Sequence, residues 1–366
     1  MKKLLVIAAL IYLVALSCAE LPARATTLDF GSYYTWAVMA AAGTDPYSTA
    51  RVDAAARQLG VAAMRANYPP SFIFLTMPLA RVPPARAFWI WSAVNLAALI
   101  AAAWLLAQGD GAMFALVVFF GPASDSLFWG QPEAVILLCL VLARRALDSG
   151  RDWLAGLSVG FASLLKLYPI FLLGYFLFRR RRDALFWSIG AILLGAALTV
   201  VELGNLAPSF IREVFMTGGD RFVHEAANVA LGAVLQRMLP VEFALALTAL
   251  IQVALLLVLI LKTLRSRDDS WGLWLLASIA LCPVIWFHSL TLAIPAIVAA
   301  TGRRDHFGWL SYGFASLGFC ALWLRWLLWP RLDSATVATI AASGALCLLA
   351  GFAAELRFRR PGCNLL

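Results

Sequence analysis

"RRALDSGRDWLAGLSVGFASLLKLYPIFLLGYFLFRRRRD", residues 144–183, decides how this chain is threaded. Twenty-seven residues, 152–178, separate Arg151 from Arg179. That is enough for one tilted span across a bilayer. One span, however, would put the basic cluster at 144–152 and the cluster "RRRRD" at 179–183 on opposite faces. Basic loops collect on the cytoplasmic side. Keeping both clusters there requires the segment to enter the membrane and return, as two half-helices turning near Lys166-Leu167-Tyr168-Pro169. Pro169 supports the break, because the residue before a proline is pushed out of the α region. Irregular backbone at membrane depth is tolerated only where it is buried in protein or lines a wet cavity.

The rest of the chain agrees with that threading. Of 366 residues, 63% are hydrophobic and 13% charged, with a mean hydropathy of +0.84. Soluble domains are less apolar and about twice as charged. The composition therefore points to an all-α, polytopic integral membrane protein, read as one domain over 1–366. Apolar runs fall near 3–18, 87–107, 112–124, 132–147, 153–165, 168–178, 184–201, 243–261, 271–287, 289–301, 307–329 and 334–354. They predict about 12 transmembrane or half-spanning helices with both termini cytoplasmic. Lys2/Lys3 and the clusters at 144–152, 179–183, 262–269, 302–305 and 357–360 hold 17 of the 29 lysines and arginines. The net charge of +9 is thus read as orienting the spans rather than as a nucleic-acid surface. The partners expected are membrane lipids, and no nucleic acid.

The six cysteines lie almost all in apolar runs without C-x-x-C spacing, so neither a disulfide framework nor a zinc site is indicated. They read as small core residues. "MKKLLVIAALIYLVALSCAE" resembles a signal peptide, but it reads better as an uncleaved first helix. Either way, the chain beyond it starts outside the cytoplasm.

This topology collects polar residues on the outer side: Asp29, Tyr47, Tyr68, Asp125, Gln131, Lys166, Tyr168, Arg221, His224, His288 and Arg331. A wide aqueous cavity could sit there. Two outer segments are long, 19–86 and 202–242. The first contains the helix-like stretches "DFGSYYTWAVMAAAG" and "YSTARVDAAARQLGVAAMRANYPPSFIF", too polar to span and expected to lie along the interface, with Tyr33, Tyr34 and Trp36 as anchors. The second contains "GGDRFVHEAANVALGAVLQRML", expected to be a surface helix.

Each polar residue has a bland reading beside a chemical one. Asp29 suits a helix N-cap; it also suits a general base in a partly desolvated site. "GTDPYS" (43–48) is turn chemistry, with Gly43 ending a helix and Asp45-Pro46 starting a turn. Pro69 and Pro70 prevent helix upstream and start a fresh element; Tyr68 beside them could be an aromatic platform for a sugar or lipid chain. Gln131, between Gly130 and Pro132, can satisfy helix N-terminal groups. Glu133, just inside the helix, complements its dipole. Lys166 either snorkels to the outer interface or neutralises an anionic head group such as the phosphate of a lipid-linked donor. His288 lies at an outer turn with nothing at metal-ligand spacing around it, so no metal is expected.

Four stretches in order carry a likeness: "LDFGSYYTWAVMAAAGTDPYS", "NYPPSFIFLTMPLARVP", "WGQPEAVILLCLVLARRALDSGRDWLAGLSVGFASLLKLYPIFLL" and "WFHSLTLAIPAI", spanning residues 28 to 297. The sequence resembles glycosyltransferase family 87, the polyprenol-phosphate-mannose-dependent α-mannosyltransferases of GT-C fold. The resemblance implies inverting transfer of a hexose, mannose first, from a polyprenyl-phosphate sugar donor. The acceptor would be a lipid or glycan hydroxyl at the outer face of the cell's inner membrane. Asp29 would be the catalytic base. Lys166 and Tyr168 would contact the donor's phosphate or sugar, and His288 would sit near the same phosphate. Tyr68 and Gln131 would line the pocket, with Tyr47 among the substrate-binding residues. No cofactor is implied, the lipid-linked sugar being a substrate. One carboxylate can suffice, since lipid phosphate is a good leaving group, unlike the paired carboxylates of glycosidases. From another class, the composition also allows a transporter or flippase of lipid-linked saccharides. Transporters often show inverted repeats and midplane helix breaks; here no repeat is evident and the break lies near the outer face.

Overall fold

The computed structural model describes residues 2–18, 28–204, 206–216, 222, 223, 225, 227–265, 269–302, 305–327 and 334–357. Arg221, His224 and Arg331 fall outside them. Among the described residues every regular element is helical, and the one extended pairing is an isolated bridge between Asn228 and Trp286.

Three described helices are long and apolar enough to cross a membrane: Pro84–Ala107, Arg182–Leu203 and Val241–Arg265. Gly111–Val118 and Gly121–Trp129 pass together as a fourth, bent by 51° at their junction. Other apolar runs form shorter helices, among them Asp152–Leu165 and Trp271–Ala280, while the last two form His306–Leu327 and Ser334–Arg357, of 22 and 24 residues. On Arg182–Leu203 and Val241–Arg265 the apolar side chains point outward; Val201 is 78% exposed and Leu250 66%. Water would not tolerate so continuous an apolar surface, whereas hydrocarbon does. The protein is a membrane protein.

The opening stretch folds as two half-helices. Asp152–Leu165 stops at Lys166, whose backbone is extended (φ −145°, ψ 145°). A 3₁₀ turn, Tyr168–Phe171, leads into Leu172–Phe178. Arg181 then reaches Asp152 across 3.3 Å, so the end of the segment lies beside its start. Arg144 bridges Asp148 at 2.9 Å and also pairs with Asp269, while the Tyr175 hydroxyl lies 3.2 Å from Asp269. Parts of three basic clusters therefore meet at one end. Helix Glu133–Asp148 runs from that end to the opposite one, about 22 Å away at 1.5 Å per residue.

The hairpin packs against Arg182–Leu203 through glycines. A Cβ on Gly156 would lie 2.3 Å from the Ala184 carbonyl oxygen, and one on Gly160 would lie 2.7 Å from the Ala191 Cβ. Ser188 Oγ donates to the Gly156 carbonyl at 2.9 Å. Small residues four apart permit this backbone approach. Gly156→Ala is expected to cost about 1–3 kcal/mol through overpacking. Gly190→Ala meets nothing within 4 Å and serves as a silent control. Thermal unfolding in detergent distinguishes them, and equal midpoints would refute the close-packing argument.

The outer segments differ from the sequence expectation. Helix Leu28–Ala41 forms, but Tyr33, Tyr34 and Trp36 are buried in protein instead of anchoring at the interface. Their polar atoms explain why: Trp36 Nε1 donates to the Met64 carbonyl at 2.7 Å, and the Tyr34 hydroxyl to that of Val82 at 2.9 Å. The "GTDPYS" turn forms as expected, with Gly43 at φ +69° and Asp45 accepting from the Tyr47 amide. The next helix is only Thr49–Leu59, because Gly60 adopts the left-handed conformation and ends it. Pro70 then starts Pro70–Thr76. Of the surface helix expected in the second outer segment, Leu231–Gln236 forms and the described residues between 222 and 230 are not helical; residues 218–221, 224 and 226 lie outside the described residues. Asn228 is wholly buried; its Oδ1 accepts from Ala230 N and Ile285 N, and its Nδ2 donates to the Phe222 carbonyl at 3.0 Å, which ties this stretch into turns. Of the cysteines, Cys139 and Cys347 are buried as expected, but Cys320 is exposed.

Candidate active site

At the end of the bundle away from the basic clusters, residues from five separate segments interlock. Asp29 lies in the first turn of Leu28–Ala41, inside the helix rather than ahead of it. Gln131 follows Gly130, which at φ +70° turns the chain from Gly121–Trp129 into Glu133–Asp148. Gln131 Nε2 donates to Asp29 Oδ2 at 2.8 Å. Its Oε1 accepts from the Tyr68 hydroxyl at 2.6 Å and from Lys166 Nζ at 3.2 Å. Two donors on one oxygen settle which way the amide points, so its N–H group must face Asp29. Tyr33 donates in turn to the Tyr68 hydroxyl at 2.9 Å. Asp29 keeps some exposure, and its carboxyl is pushed above the ordinary carboxylate range. Burial is the main cause and Asp125 adds to it, while His288, the Gln131 bond and Lys166 pull the other way.

Lys166 does not snorkel. Its ammonium is buried, in contact with Glu133 Oε1, and 4.8 Å from the centre of the Tyr68 ring. The Tyr168 hydroxyl and Ser289 Oγ reach the same Glu133 oxygen at 3.2 and 3.1 Å. Glu133 holds the first-turn position expected of it, and it is also the partner of the buried lysine. An unpaired charge there would be costly, which is what brings the two together. Lys166 has three N–H donors, of which Glu133 and Gln131 take two. His288 sits between two carboxylates, Nδ1 3.7 Å from Asp125 Oδ2 and Nε2 3.6 Å from Glu133 Oε1. Asp125 is held by Trp129 Nε1 at 3.2 Å.

Asp29, Tyr68, Gln131, Lys166, Tyr168 and His288 thus share one cluster. Tyr47 does not join it: its hydroxyl donates to the Tyr68 carbonyl at 2.7 Å, supporting the loop that carries Tyr68. The sequence reading assigned no site role to Tyr33, Asp125 or Ser289. A buried lysine demands a carboxylate, and that signal could have found Glu133. Among the described residues no group of three or more His, Cys, Asp or Glu could hold a metal ion.

Fold and site together define a polytopic α-helical membrane protein with a carboxylate-and-lysine site at one end of its bundle. The profile of glycosyltransferase family 87 matches residues 67–289, more than half of the sequence, and the chain belongs to that family. Tyr68, Gln131, Lys166, Tyr168 and His288 lie within the matched stretch; Asp29 precedes it. The chain is 25% identical over 282 residues, 72% of its length, to a polyprenol-phosphate-mannose-dependent alpha-(1-2)-phosphatidylinositol pentamannoside mannosyltransferase of Mycobacterium tuberculosis. It is 26% identical over 249 residues, 63% of its length, to the protein of the same name from Mycolicibacterium smegmatis. It spans 64% and 60% of those two relatives' lengths.

Proposed function

We propose that this protein transfers a hexose, most simply mannose, from a polyprenyl-phosphate sugar to a hydroxyl of a membrane-borne acceptor. The reaction takes place at the outer face of the inner membrane, in a fold of about twelve crossings with cytoplasmic termini. The observation that carries the reading is the Asp29–Gln131–Lys166 arrangement in a member of this family. It sets a partly exposed carboxylate beside a buried cation, at the end of the bundle away from the basic clusters.

Asp29 accepts the proton of the acceptor hydroxyl as its oxygen attacks the anomeric carbon. The bond from that carbon to the phosphate oxygen breaks, and lipid phosphate departs with the electron pair. A single attack inverts the configuration. Gln131 aims Asp29 by holding Oδ2, leaving Oδ1 for the acceptor. The remaining N–H of Lys166 addresses the donor phosphate, with Tyr168 beside it and Tyr68 walling the pocket. His288 lies within the same donor site. The two relatives are named for a phosphatidylinositol pentamannoside acceptor. By analogy the acceptor here is a glycolipid carrying free hydroxyls, and the reaction needs no cofactor.

Purified protein supplied with radiolabelled polyprenyl-phosphate mannose and a membrane glycolipid extract is expected to yield a labelled lipid of inverted linkage. Equal transfer from a nucleotide sugar in a lipid-free assay would overturn the reading. The topology has its own test. A reporter fused after Arg182 is expected to report the cytoplasm, and an outer location would remove Lys166 from the outer face.

A further inference from the structure

Glu133 uses its two oxygens unequally. Oε1 takes Lys166, Tyr168 and Ser289, whereas Oε2 is buried with no hydrogen-bond partner. Nε2 of His288 is likewise buried and without a partner, although it stands only 3.6 Å from Glu133 Oε1. Glu133 is fully buried and His288 is 5% exposed. Orphaned polar atoms of this kind each cost stability, so two on facing side chains at the edge of a substrate site call for a ligand atom.

The charges restrict what that ligand can be. Asp29, Asp125 and Glu133 surround the position, and Lys166 is already engaged with Glu133. An anionic oxygen against Glu133 Oε2 would meet a carboxylate at hydrogen-bond distance, which low local dielectric makes unfavourable. A hydroxyl fits both orphans: its oxygen accepts from the imidazole N–H, and its own proton goes to the carboxylate. Asp125, facing Nδ1 at 3.7 Å, keeps the ring turned with Nε2 toward Glu133. We infer that Glu133 and His288 form a subsite that reads one hydroxyl of a bound sugar, with Asp125 as the residue that positions His288.

The inference rests on the sugar-transfer reading for the identity of the ligand, and it moves His288 from the phosphate to the sugar. The hydroxyl could belong to the donor sugar or to a sugar of the acceptor. Binding rather than turnover separates these cases, measured on the full-length protein in lipid nanodiscs by tryptophan fluorescence. One arm uses polyprenyl-phosphate mannose and its monodeoxy analogues. The other uses octyl α-mannoside and its monodeoxy analogues.

In wild type one deoxy position in one arm is expected to weaken binding roughly 10- to 100-fold, because its loss strands two buried groups. In Glu133→Gln that same position should matter less than about threefold, since an amide can no longer pair as the carboxylate does. His288→Asn gives the same comparison should Glu133→Gln not fold. Asp125→Asn should narrow the wild-type discrimination without changing which position is read. A deoxy penalty of equal size in wild type and both variants would overturn the subsite, as would loss of affinity for polyprenyl phosphate without sugar. Wild-type discrimination in binding without any transfer would sustain the subsite while refuting the transfer reaction. Wild-type binding to none of these ligands would refute both.

Discussion

Asp29→Asn is expected to lower kcat about 10²- to 10⁴-fold while leaving the protein folded, since that is the span a positioned general base contributes. An asparagine can still accept from Gln131 Nε2, so the geometry persists and only the proton acceptor is lost. Stability should move the other way. Burial raises the Asp29 carboxyl above its ordinary value of 3.8, so folding favours the neutral form. The cost of holding it ionised is absent at low pH and grows as pH rises through the carboxylate range. At neutral pH the variant is therefore expected to melt no lower than wild type, and this pairing of lost turnover with retained stability is what a structural cap would not produce. The same shift places the acidic limb of kcat/KM above the ordinary carboxylate range, with activity falling as pH is lowered through it and Asp29 gains its proton. Unchanged turnover in Asp29→Asn would remove the general base, whatever the pH profile.

The second large effect concerns the buried pair. Lys166→Met leaves the Glu133 carboxylate enclosed without its cation, and breaking a buried pair in this way costs about 3–5 kcal/mol. The double variant Lys166→Met with Glu133→Leu removes both charges and should recover most of that loss, because similar apolar groups often replace a buried ion pair at little cost. Donor binding should stay impaired in both, since neither retains the ammonium. A thermal unfolding series in detergent reads the first comparison and polyprenyl phosphate binding the second. A single variant as stable as wild type would mean that lipid head groups or water reach Glu133. Donor affinity restored in the double variant would take Lys166 out of the phosphate contact.

The hairpin over residues 152–178 was legible in the sequence because charge and hydropathy report it locally. Arg144, Arg151 and Arg179–Arg182 bracket a segment that had to come back, and Pro169 marked where it turned. The turn at Gly43–Ser48 and the helix start at Pro70 were legible for the same reason, since proline and glycine restrict or free their own backbone. The aromatics of Leu28–Ala41 were not. Tyr33, Tyr34 and Trp36 suit a membrane interface and a protein core equally well by composition, and what decides between them is the presence of Met64, Tyr68 and Val82 across from them. The break before Leu231 was hidden for a similar reason: Asn228 accepts from the Ile285 amide, a partner far away in sequence.

Residue types and their order determined that this chain spans a membrane, turns back at Lys166 and gathers polar groups at one end. These are consequences of desolvation and of positive charge, which act on short segments. Only the tertiary structure decided that Lys166 belongs to Glu133, that Gln131 holds Asp29, and that Glu133 Oε2 and His288 Nε2 are buried without partners. Hydrogen bonds and buried ion pairs depend on ångström distances between distant segments, as between Glu133 and Ser289, 156 residues apart, and no local pattern records such distances.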